Sequence, residues 1–338
     1  MNIDYGHIIL LIIFIIFIIF LGIVSIRAFK RHNIRGFINS LFSGIVLTLS
    51  IFAYIYISTI YGHFILVYPL DLILIGHFLL MLLIQLIYYY RAKKSQEDTQ
   101  PKINEYKSSK DFTLDQELDR KAVHLLGFLL IPPYFGFGLL YYYILEFLLN
   151  LFNIPPMNIQ PSLIPQTMAL LGIITALIFV MVPEFYRMYN IKFCLLQRYM
   201  HILRKDEVDA IGPHVNTIIG VIIPIILISE PYLAVGTMFS GIMADSVASI
   251  VGKKWGRIIF NNRNRKTIEG LIGGTLSCFV LSYIFYIFNY SLNTSLILST
   301  ICCTIFALID IASIYISDNI LYPVISGISI SIVRTFFI

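Results

Sequence analysis

The residues best placed to do chemistry begin with Gly241-Ile-Met-Ala-Asp245-Ser-Val-Ala-Ser-Ile-Val-Gly252-Lys-Lys-Trp-Gly256-Arg257. Read as a helix, this stretch puts Asp245, Ala248, Ser249 and Gly252 on one face, at i, i+3, i+4 and i+7. Asp245 then lies about 10 Å below Gly252 along the axis. An ionised side chain in an apolar run costs about 2.5 kcal/mol or more at a bilayer centre, so it needs a purpose. A carboxylate below a basic exit of Lys253, Lys254 and Arg257 suits a hard divalent cation bound together with phosphates. Gly252 and Gly256 would let the backbone approach those phosphates. Helix packing by small residues and ordinary interfacial charge explain the glycines and the cations, but not Asp245.

Three further groups share this character. Lys266-Thr-Ile-Glu269-Gly270-Leu-Ile-Gly273-Gly274 follows the basic loop. Thr267 there is a natural N-cap and Glu269 lies in the first turn. Glu269 could hold a metal, or only complement the helix dipole. Gly270 could serve a ligand or a close-packing stripe. In Asp119-Arg120-Lys121-Ala-Val-His124 the two cations share a helix face with the imidazole, which suits phosphate contact. Asp310 interrupts an apolar run, and Asp318-Asn319 follows it with Pro323 beyond. The Asp318-Asn319 pair could be a tight turn only. Glu184 and Arg187 are spaced for an ion pair. By the topology read below, the carboxylates outside long loops (Glu184, Asp245, Glu269, Asp310 and Asp318) all fall at one membrane face.

The elements that must position these residues follow from composition. Of the 338 residues, 58% are hydrophobic and 13% charged, against about 45–50% and about 25% in soluble domains. Mean hydropathy is +0.83. The chain therefore reads as an all-α, polytopic membrane protein. A soluble enzyme and a nucleic-acid-binding protein are excluded. Ten stretches approach the roughly 20 apolar residues that span a bilayer: 8–27, 37–57, 72–90, 122–143, 164–183, 211–228, 232–252, 268–288, 295–316 and 320–337. Pro132-Pro133 and Pro224 predict kinks or breaks. The first run is too long for a signal-peptide core and reads as a spanning helix.

Every Lys and Arg except Arg334 falls in alternate loops: one, three, five and seven. The positive-inside rule then puts those loops, and the Asp318 turn, in the cytoplasm, with both termini on the other side. The expected organisation is an N-terminal three-helix segment (1–90), a charged cytoplasmic linker (91–119) and a larger membrane domain (120–338). The N-terminal helices promise little intramembrane polarity. The four cysteines show no ligand spacing and read as reduced thiols.

Taken together, these motifs resemble the CTP-dependent lipid-alcohol kinases: dolichol, phytol and farnesol kinases and the yeast-type diacylglycerol kinase. The family's Arg-Lys-x-x-His element matches Arg120, Lys121 and His124. Its Asp-x-x-Ala-x-x-x-Gly-x-x-x-Gly element matches Asp245, Ala248, Gly252 and Gly256, and its Lys-x-x-Glu-Gly element matches Lys266, Glu269 and Gly270. Of the C-terminal Asp-Asp-Asn-x-x-x-Pro element, Asp318, Asn319 and Pro323 fit, while Ser317 stands for the first acid and Asp310 for an earlier Glu. The likeness covers about residues 120–330.

The resemblance implies transfer of the γ-phosphoryl group of CTP to a membrane isoprenoid alcohol, dolichol or a similar polyprenol, giving the polyprenyl phosphate and CDP. It implies Mg²⁺ on Asp245, with Glu269 or Asp310 holding a second metal or orienting the alcohol. Lys253, Arg257, Lys266 and the Gly252 and Gly256 backbone would contact phosphates, along with Arg120, Lys121, Gly270 and Asn319. His124 or Asp318 would be the general base. The implied setting is the bilayer itself, the cell membrane in a prokaryote or the endoplasmic reticulum in a eukaryote, for supply of a glycan-carrier lipid. Alternatives are a phytol or geranylgeraniol kinase, a cytidylyltransferase forming a CDP-lipid, and a secondary transporter with Asp245 and Glu269 as coupling sites.

Overall fold

The computed structural model describes residues 5–62, 64–94, 131–157, 159–196, 203, 207–261 and 266–337. Its architecture is helical. The elements are α1 (Tyr5–Lys30), α2 (Ile34–Tyr61), α3 (Leu70–Lys94), α4 (Ile131–Tyr134), α5 (Gly136–Leu151), α6 (Ile164–Tyr189), α7 (Pro213–Leu227), α8 (Pro231–Trp255), β1 (Ile259–Asn261), β2 (Lys266–Thr267), α9 (Ile268–Tyr286), α10 (Leu292–Ala312) and α11 (Asp318–Phe337). Eight of these helices among the described residues are long and apolar enough to cross a membrane; α5 and α7 are apolar but shorter. At 1.5 Å per residue, the 26 residues of α1 reach about 39 Å, beyond a hydrocarbon core of about 30 Å.

Local chemistry sets the helix ends. Asn33 caps α2, its Oδ1 accepting from Gly36 N at 2.8 Å. Gly62 ends α2 with φ of 75°, a left-handed value that glycine adopts at no steric cost. Thr267 caps α9 and Ser291 caps α10. Pro213 and Pro231 open α7 and α8 at positions where their missing N–H costs nothing. On α1, Ile12, Ile15, Ile19, Ile23 and Ile26 form an exposed apolar stripe, while Phe17, Leu21, Val24 and Ala28 are buried. This is the division expected of a helix between lipid and protein.

Several expectations change. The fourth stretch, 122–143, is broken at Phe135, just after its two prolines: α4 is one turn, and α5 begins at Gly136 and runs to Leu151. The part before 131 lies outside the described residues. The stretch 211–228 is the 15-residue helix α7, with Pro224 inside it. Its C-terminal carbonyls do not go unsatisfied: Gln166 Nε2 donates to Ile225 O at 2.8 Å and to Ile226 O at 2.9 Å. Helix α3 continues to Lys94, into the expected linker, whose remainder lies outside the described residues. The seventh loop contains a small antiparallel hairpin, β1–β2, pairing Ile259 with Thr267 and Asn261 with Lys266.

The N-terminal helices are not poor in polarity. His7, Ser40, Ser43, Asp71 and Gln85 are all buried. His7 Nε2 lies 2.8 Å from Leu66 O, and its Nδ1 lies 3.9 Å from Asp71. Asp71, Glu146 and Glu230 also show that carboxylates are not confined to one end. Glu146 accepts from Met157 N at 2.7 Å, and Glu230 pairs with Arg334 at 2.5 Å. Helix α2 packs on α1 and α7, and α3 packs on α6; α8 and α9 share the most extensive helix–helix interface, and α11 leans on α7, α8 and α10.

Candidate functional site

One end of the bundle gathers the C-terminal ends of α1, α6, α8 and α10 with the N-terminal ends of α2, α7, α9 and α11. Lys and Arg concentrate there, so we call it the basic end. A pocket opens at this end between α8, α10 and α11. It is lined by Gly241, Ile242, Asp245, Phe306, Ile309, Asp310, Asp318, Asn319, Tyr322 and Pro323. Asp245 comes from α8, Asp310 from the last turn of α10 and Asp318 from the first turn of α11. Residues separated by more than seventy positions thus share one cavity.

The hairpin delivers the cation. Lys266 on β2 donates from Nζ to Asp310 Oδ1 at 2.7 Å, to Asp318 Oδ2 at 3.2 Å and to the Asp310 carbonyl at 3.1 Å. Burial on its own would lower the Lys266 ammonium pKa, but the charges of Asp318 and Asp310 outweigh it and the net shift is upward. Asp245 is close enough for its charge to act on Asp318. The side chains of Lys266, Asp310 and Asp318 keep 20%, 12% and 29% exposure, so water reaches the cluster.

The floor of the pocket is apolar and aromatic. The Tyr322 ring stands so close over Gly241 that a Cβ there would overlap it. The Tyr322 hydroxyl lies 2.9 Å from Ser240 Oγ and 3.3 Å from Cys278 Sγ. Behind it, the Tyr286 hydroxyl meets Thr237 Oγ1 at 2.9 Å and Cys302 Sγ at 3.1 Å. Sequence reading missed these residues, because Tyr, Ser and Thr inside apolar runs look like packing until their partners on other helices are known.

The other expected residues stand as follows. Glu269 turns away from the pocket, its carboxylate accepting from Ile258 N at 3.3 Å on each oxygen. It thereby fastens the base of the hairpin. Gly252, Gly256 and Gly270 serve close helix contact: a Cβ on Gly252 or Gly256 would meet Thr267, and one on Gly270 would meet the Ala248 carbonyl. The packing reading of these glycines is therefore sufficient without a ligand. Lys253 and Lys254 are exposed on the last turn of α8 and Arg257 just beyond it, with Lys254 Nζ 4.8 Å from the Trp255 ring centroid. Asn319 lines the pocket. Arg120, Lys121 and His124 lie outside the described residues.

Glu184 and Arg187 form a second ionic group at this end, and both side chains are only 1% exposed. Arg187 meets Glu184 through Nε at 2.8 Å and Nη2 at 2.6 Å, and donates to the Val208 and Ala210 carbonyls. Glu184 also accepts from Gly212 N at 3.0 Å. This pair holds the chain that enters α7. It is a clasp rather than an exposed interfacial pair.

The donor set in the pocket is all oxygen, the kind that Mg²⁺ takes. Among the described residues no three His, Cys, Asp or Glu side chains form a ready-made cage. Mg²⁺ is commonly held by one or two carboxylates with water and substrate phosphates supplying the rest. Asp245 and Asp318 fit that style of coordination. The chain matches no known protein family, no characterised protein and no solved structure.

Proposed function

We propose that this integral membrane protein is a CTP-dependent lipid-alcohol kinase acting on a polyprenol of the dolichol type. The observation that carries the reading is the pocket at the basic end, where Asp245, Asp310 and Asp318 line one cavity above an apolar floor and the last two pair with Lys266. Positive-inside bias would put that end in the cytoplasm, where nucleotide is supplied. On this reading the full chain spans the membrane ten times, with α5 and α7 as shorter members.

Phosphoryl transfer asks for positioning and charge neutralisation more than for covalent chemistry by the protein. Asp245 would hold a Mg²⁺ brought by the nucleotide; the ion would supply neutralisation of the charge on the transferring phosphoryl group. Lys266 sits where it can turn from the carboxylates to a phosphate oxygen. Lys253 and Arg257 offer further cations at the mouth, with Arg120 and Lys121 as candidates from the preceding segment. The alcohol enters from the lipid, its first carbons against Ile242, Phe306 and Ile309 and its hydroxyl among the acids. Asp318 or His124 would take the hydroxyl proton as the phosphorus–oxygen bond forms and CDP leaves. Glu269 is assigned to the hairpin rather than to a metal.

The test is purified protein with labelled CTP or ATP and isoprenoid alcohols of graded length. The prediction is a phosphorylated lipid and free CDP, with Asp245→Asn lowering the rate about 100-fold or more. Wild-type activity in Asp245→Asn eliminates the metal role, and pyrophosphate in place of CDP would assign a cytidylyltransferase.

A further inference from the structure

We propose that Asn39 on α2 is a positioning residue for the acidic turn that carries Asp318, so that the N-terminal helices form part of the site. This rests on the pocket being the phosphoryl-transfer site. Asn39 Oδ1 accepts from Ser317 N at 2.6 Å, across 278 residues of sequence. The Ser317 carbonyl accepts from Ile320 N and Leu321 N, each at 3.1 Å. Both polar backbone groups of the residue before Asp318 are therefore fixed, one by α11 itself and one by α2. With that peptide held, Asp318 has only its own side-chain torsions left to bring its carboxylate to Lys266.

Helix α2 is built to hold Asn39 in place. Residues 36, 39, 40 and 43 share one face at helical spacing. Ser43 Oγ lies 2.8 Å from both Asn216 Oδ1 and the Asn39 carbonyl, which share its one hydroxyl hydrogen. A Cβ on Gly36 would collide with Ala210. The face is thus docked at points on either side of Asn39, and the amide cannot drift from Ser317 without α2 leaving α7.

The test uses the full chain with Ser317→Cys as a reporter, since the bond is made by the backbone and not by that side chain. The rate of labelling by a water-soluble maleimide is read after subtracting the chain that lacks the reporter. Adding Asn39→Leu is expected to speed labelling about tenfold, because a turn that has lost its anchor opens more often. Asn39→Ser, which stays polar but cannot reach, should act the same way and serves if the leucine variant does not fold. Thr48→Ala, on the same helix but bonded to the Gly44 carbonyl of that helix, should stay within about twofold. In the kinase assay, Asn39→Ser should lower kcat about tenfold with KM for CTP nearly unchanged.

Unchanged labelling in both Asn39 variants overturns the proposal, as does an equal rise in Thr48→Ala. Specific labelling with unaltered kcat also overturns it. Specific labelling in a protein that shows no kinase activity at all leaves Asn39 as the anchor of the turn and instead defeats the kinase reading.

Discussion

Arg187 with Glu184, and Lys266 with Asp310 and Asp318, are ion pairs at the same end of the bundle, and they differ in what surrounds them. The first is sealed, and beyond the pair itself its hydrogen bonds run to the backbone of Val208, Ala210 and Gly212. The second is drawn from three elements far apart in sequence, stays partly wet, and lines a cavity. A sealed pair fixes a chain segment, and its charges are spent. An open one keeps charges in hand for something that is not part of the protein. The difference is one of access rather than of residue type.

The largest effect is expected in Arg187→Met, which leaves Glu184 charged and buried and should cost about 3–5 kcal/mol. A thermal or chemical unfolding measurement in detergent reads it; a loss below about 1 kcal/mol would show that the pair is not a clasp. Lys266→Met should cost less in stability, about 1–2 kcal/mol, because water can reach the two freed carboxylates. It should still abolish CTP-dependent stabilisation of the protein. Equal unfolding costs for Arg187→Met and Lys266→Met would erase the distinction between closed and open.

A pH series sharpens the same point. Burial lowers the Lys266 pKa, but the Asp318 and Asp310 charges raise it by more, leaving it above its ordinary value. A raised folded-state pKa adds stability that is complete below the unfolded value of about 10.4 and fades as pH climbs through the higher folded value. The melting temperature of the wild type should therefore lose an extra increment above about pH 10.4 that Lys266→Met lacks. Parallel curves for the two proteins would remove this assignment. The smallest effect is expected at the opposite end of the bundle, in Glu230→Gln, where the pair with Arg334 is about a third exposed. There the loss should be at most about 1 kcal/mol in the same unfolding assay.

The helical membrane architecture was legible because apolar runs of spanning length are dictated by the solvent they face. Asp245, Lys266, Asp310 and Asp318 were legible for a related reason: a charge in or beside such a run has few structural excuses. What one sequence could not supply was direction. Glu269 has the right type and place, yet its carboxylate turns to the Ile258 amide, and only the hairpin geometry decides that. Asn39 and Tyr322 were silent because a polar residue in a helix gains meaning from a partner on another one, here Ser317 and Ser240. His7 and Asp71 were overlooked because the first helices were read for their bulk apolarity, which hides single buried polar residues.

Gly241 and Tyr322 carry a consequence for how this cavity could change over evolutionary time. With the phenol ring resting directly on the glycine backbone, the two positions are not independent: a methyl at 241 drives the ring into the space above, and a smaller residue at 322 opens a hole beside the glycine. A larger side chain at 241 can therefore follow only after a smaller one at 322, so the depth of the cavity can change in one order and not the other.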